Sequence, residues 1–109
     1  MYIGQLALKG LVAHTAWERR GGDKGVFCVE VIAKSSTATL DIDIEHKKLE
    51  EVDSAATDLA NTIAVSSVTV GNARNTEFKP LWRWKLVVTG SNTYDWVHFR
   101  LLAAQWERN

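Results

Sequence analysis

Asp41, Asp43 and Glu45 alternate along one stretch and would sit about 7 Å apart in succession on one strand face. Such a stripe has the oxygen chemistry of a Ca²⁺ site. Calcium ligands usually converge from loops, however, and no such loop stands out here. The plainer reading is a solvated face that pairs across strands with Arg83 and Lys85. His14, His46 and His98 are far apart and lack metal-ligand spacing of the His-Glu-x-x-His kind. Cys28 lies in an apolar run with no activating neighbour, the setting of an inert thiol. Gly21-Gly22 has neither the spacing nor the Lys-Ser end of a phosphate loop. These residues imply no catalytic group, no metal and no cofactor, so the expectation is a protein that is not an enzyme.

The five tryptophans, Trp17, Trp82, Trp84, Trp96 and Trp106, are many for a chain of 109 residues. Exposed Trp and Arg are enriched at protein interfaces, and aromatic rings also stack on sugars. Trp96 covering a sheet edge and Trp106 capping the core would be the structural alternative. Arg19, Arg20, Arg74, Lys79, Arg83 and Lys85 could form a basic patch. Thirteen basic and thirteen acidic residues cancel, though, and no nucleic-acid module is recognisable, so nucleic acid is not expected as a partner.

Strands must position these residues. Leu81–Thr89 alternates, with Trp82, Trp84, Leu86 and Val88 on one side and Arg83, Lys85 and Thr89 on the other. Residues 94–102 repeat the code, with Val97, Phe99 and Leu101 set against Trp96, His98 and Arg100. Gly90-Ser91-Asn92 between them carries turn chemistry, so the two runs read as a β-hairpin. Residues 37–47 give the cleanest alternation: Ala38, Leu40, Ile42 and Ile44 face one way, and a one-residue slip would bury three carboxylates. Residues 26–34 carry apolar groups on both faces, which suggests a central strand covered on both sides, at least in part.

Leu49, Val52, Ala56 and Leu59 fall at helical spacing, so residues 48–59 are a short helix or a loop. Residues 61–65 and 67–70 read as short strands closed by Gly71-Asn72, and residues 73–79 as a polar crossing that ends at Pro80. Residues 1–12 are a first strand or an N-terminal arm. Hydrophobic content of 46% fits a globular fold, and the length fits a single domain spanning residues 1–109. No apolar run approaches the roughly 20 residues of a membrane span. A lone cysteine and the lack of a signal-like N-terminus imply a soluble cytoplasmic product. The sum is an all-β antiparallel sandwich of jelly-roll type.

Several segments together resemble small structural proteins of tailed bacteriophages, including capsid decoration or cement proteins. They are residues 18–23 (Glu-Arg-Arg-Gly-Gly-Asp), residues 29–35, residues 38–47, residues 82–90 and residues 95–102, with segment order kept from Trp17 onward. The resemblance implies a non-enzymatic domain, made in the bacterial host cytoplasm and carried in the virion. It would bind a viral capsid or tail protein, often as a homo-oligomer (a dimer or trimer). Its contacts would fall on Trp17, Arg19, Arg20, Trp96, His98, Arg100 and Trp106. In similar proteins a polar loop follows the acidic strand, so helical spacing over residues 48–59 is a departure. The rival expectation is a carbohydrate-binding jelly roll in which Trp17, Trp96 or Trp106 stacks on a glycan.

Overall fold

A computed structural model describes residues 2–10 and 12–107, with side chains from residue 7 onward. Among them lie β1 (Tyr2–Leu8), β2 (Val12–His14), β3 (Glu18–Arg19), β4 (Lys24–Lys34), β5 (Thr39–Lys47) and β6 (Thr57–Asp58). These are followed by β7 (Ile63–Val65), β8 (Val70–Asn75), β9 (Leu81–Thr89), β10 (Trp96–Leu101) and β11 (Gln105–Glu107). The described residues contain no α-helix. All pairings are antiparallel and make two sheets of four lanes each. One sheet runs β1, then β10 continued by β11, then β4, then β8. The other runs β2 continued by β3, then β9, then β5, then β7 and β6. This is jelly-roll order: apart from the step from β5 to β6 and β7, successive lanes lie in opposite sheets.

The alternation sets the core. Leu40, Ile42 and Ile44 of β5, and Trp82, Trp84, Leu86 and Val88 of β9, face Phe27, Val29 and Val31 of β4 and Val97, Phe99 and Leu101 of β10, all of them buried. Asp43 pairs with Lys85 and Glu45 with Arg83 on the outer face, the cross-strand pairing that the charge pattern suggested.

The expected hairpin does not form. β9 pairs with β5, β2 and β3, whereas β10 pairs with β4 and β1. Period two fixes which face a residue occupies and is satisfied equally by two strands meeting across a core. Residues 2–8 form a paired strand, and the break at Gly10 (φ 90°) is where the chain crosses to the other sheet. β4 is central within its sheet but covered on one face only. Val26 and Cys28 are half-buried on its outer side, and Ile32 is 41% exposed where the β4–β10 register shifts.

Residues 48–56 are a loop with one 3-10 turn (Asp53–Ala55), and Leu49 and Val52 stay exposed despite their spacing. Residues 66–69 cross between sheets, so the strand expected over 67–70 begins only at Val70. Gly71 lies within β8 and does not close a turn. A Cβ there would sit 2.5 Å from Val65 Cγ2 and 2.7 Å from Ile63 Cγ2. The polar crossing over 73–79 hides core: Ala73, Asn75 and Phe78 are buried, and Phe78 stacks on Phe27 at 5.4 Å.

Candidate functional site

The seven candidate residues fall in three places. Trp96, His98 and Arg100 form one row on the outer face of β10, each half-buried. Arg100 Nε lies 2.5 Å from Glu30 Oε1 on β4. Leu8, opposite Trp96 in the register, is 48% exposed, and Ile32 and Val70 extend the apolar surface across β4 and β8. This face is a sheet with exposed apolar groups beside two charge pairs, Arg100–Glu30 and, further along β4, Arg74–Glu107.

Trp17 lies over the lower end of the other sheet. Arg83 (Cζ at 4.2 Å from the centroid) and Lys47 (Nζ at 4.8 Å) both lie against its ring, and its Nε1 donates to Asp53 Oδ1 at 3.0 Å. Lys47 also donates to Asp53, and these two bonds hold the Asp53 carboxyl below the ordinary aspartate value. Arg83 Nε donates to Glu45 at 2.9 Å, and His14 lies 3.4 Å from the same oxygen. The indole thus roofs a charge network that covers Glu45 and Lys47. Asp41 accepts the Thr89 hydroxyl at 2.8 Å. Burial, then the neighbouring Asp58, pushes the Asp43 carboxyl up. Among the described residues, no three His, Cys, Asp or Glu side chains come together as a metal site.

Trp106 serves the core: its ring meets Phe78 at 5.0 Å, Phe27 at 5.5 Å and Trp82 at 5.8 Å, edge to face. The glycine pair that follows β3, Gly21-Gly22, explains how. A Cβ on Gly21 would fall 2.4 Å from Trp106 Cδ1, and one on Gly22 would fall 2.6 Å from the Glu107 carbonyl oxygen. Only bare backbone can lie this close to the indole. Arg20 is engaged in the same turn, donating to the Phe78 carbonyl and pairing with Asp23 at 2.9 Å. Gly21→Ala is therefore expected to lower stability by about 1–3 kcal/mol through overpacking, read as a reduced denaturation midpoint. An unchanged midpoint would mean that the turn does not bear on Trp106.

Comparison with protein-family models, curated proteins and solved structures gave no match. Geometry alone assigns the sites. Two clefts were not anticipated. One, of about 260 Å³, brings together His46, Asp58, Asn61 and Asn75. His46 Nδ1 accepts the Lys79 backbone N–H, and burial lowers the affinity of the ring for a proton. The other, of about 190 Å³, opens between the sheets where β3 faces the link from β10 to β11. Trp82, Trp84 and Trp106 line it, with Glu18 and Arg19 of β3 beside Ala103. No motif marks either cleft, because each depends on where the two sheets part.

Proposed function

We propose that this chain is a non-enzymatic structural protein of a bacteriophage particle, a decoration or cement protein that binds across neighbouring shell subunits and stabilises the shell. The observation that carries the reading is the outer face of the β1–β10–β4–β8 sheet. Trp96, His98 and Arg100 stand in one row there, with Leu8, Ile32 and Val70 exposed around them. Tryptophan and arginine on an exposed apolar face are what protein interfaces select. The jelly roll, an architecture used in viral capsids, is compatible with this role. A dimer or trimer presenting several such faces would hold the shell by avidity. Partners are capsid or tail subunits, without nucleic acid; no helix among the described residues is long and apolar enough to cross a membrane.

The test is sedimentation of a phage lysate, with pelleted particles probed for this chain. Stoichiometric co-sedimentation is expected, and the copy number relative to the major capsid protein separates shell from tail. A chain found only in the soluble fraction would overturn the proposal. Trp96→Ala is expected to keep a cooperative melt, since the ring lies outside the core cluster, while reducing the amount bound to particles. Loss of folding would instead make Trp96 a structural residue.

A second reading, a carbohydrate-binding jelly roll, is favoured by one specific observation: the cleft walled by tryptophan and edged by Glu18 and Arg19.

A further inference from the structure

We infer that the cleft between β3 and the link from β10 to β11 binds a single saccharide ring. The inference rests on the carbohydrate reading and deepens it by moving the site from the outward Trp96 to a position between the sheets. Three features of the cleft define the ligand. Trp82, Trp84 and Trp106 line the cleft; the first two are shut into the core, so the half-buried Trp106 is the aromatic surface on which the C–H face of a pyranose would lie. Trp82 is 3% exposed, and its Nε1 is buried with no hydrogen-bond partner among the described residues. Buried polar groups are rarely left in that condition. A small shift of the wall would let a ligand hydroxyl accept this bond.

Glu18 and Arg19 are the third feature. Arg20, Arg74, Arg83 and Arg100 each hold a carboxylate. Arg19 and Glu18 have no ion pair or hydrogen bond through their side chains among the described residues. One acceptor and one donor stand ready for the hydroxyls of a neutral ring. An anion would be opposed by Glu18 and a cation by Arg19, and an apolar group would leave the buried indole N–H of Trp82 unsatisfied. The volume of about 190 Å³ lies below that of pockets for drug-sized ligands, which run from about 300 to 1,000 Å³. It suits one ring.

The five indole N–H signals of ¹⁵N-labelled protein read this directly. Methyl pyranosides of glucose, galactose, mannose and N-acetylglucosamine would each be titrated in. At least one is expected to shift the Trp82, Trp84 and Trp106 signals saturably. The shifts should weaken in Arg19→Ala, a change on an exposed strand that leaves the core intact, and vanish in Ala103→Trp, which fills the cleft. Shifts confined to Trp17 or Trp96 would overturn the cleft site and leave the carbohydrate reading standing. Silence at all five would overturn both. Toluene moving the cleft signals as strongly as every glycoside would mark a plain apolar void and refute the assignment.

Discussion

Ile42→Asp is expected to abolish soluble folding. Ile42 is 1% exposed at the middle of β5, with Leu86 on one side and Ile63 on the other in the register. Removing a buried aliphatic side chain costs about 2–5 kcal/mol before any charge is counted. A buried carboxylate without a partner adds several more. Small domains have about 5–15 kcal/mol in total. The variant should therefore collect in the insoluble fraction and lack a cooperative melt, whereas Asp41→Asn, one residue away on the outer face, should change stability by no more than about 0.5 kcal/mol. A normal melting curve for Ile42→Asp would refute the parity of β5, and with it the register of the whole β9–β5 ladder.

That parity is the part of the fold most legible in the sequence, and the physical reason is simple. A strand has only two faces, so a run such as Leu40-Asp41-Ile42-Asp43-Ile44 states its inward side without reference to any partner. The identity of the neighbouring strand is not written in the same code. Residues 81–89 and 96–101 have the right faces, yet they lie in opposite sheets because what decides pairing is the loop between them. Helical spacing over Leu49, Val52, Ala56 and Leu59 misleads for a related reason: the positions are right, but nothing lies above them, and only Leu59 is buried. Phe78 shows the opposite failure. It sits in a polar stretch with no periodicity, and it enters the core because the chain returns over Phe27 and Trp106. The candidate site was legible where it lay along one strand, as with Trp96, His98 and Arg100. The cleft joins residues 18–19 to residues 82–84 and 102–106, and only the sandwich brings them together.

The crossing between β9 and β10 carries the second large effect, and its centre is Asp95. This carboxylate is 1% exposed. Thr37 donates to it at 2.7 and 2.8 Å, Ser35 at 2.7 Å and the Asn92 backbone N–H at 3.1 Å. The Asp95 carbonyl accepts from the Lys9 backbone N–H at 3.0 Å, so one residue ties together the crossings after β1, β4 and β9. Gly90 is fitted to it: a Cβ there would meet Asp95 Oδ2 at 2.0 Å. Asp95→Ala strands several donors at once and is expected to lower the melting temperature by roughly 10 °C or more. Asp95→Asn isolates the charge. The Thr37 hydroxyl above all, then Ser35 and the Asn92 backbone, hold the Asp95 carboxyl below the ordinary aspartate value. A carboxyl that ionises more readily when folded contributes its full stability above the unfolded value of roughly 4 and loses it as pH falls through the folded value. The parent chain should therefore lose melting temperature more steeply than Asp95→Asn on acidification, so that the gap between them narrows. Parallel curves would show that the carboxylate charge does not hold the crossing, and the turn would then rest on Gly90 and the backbone bonds alone.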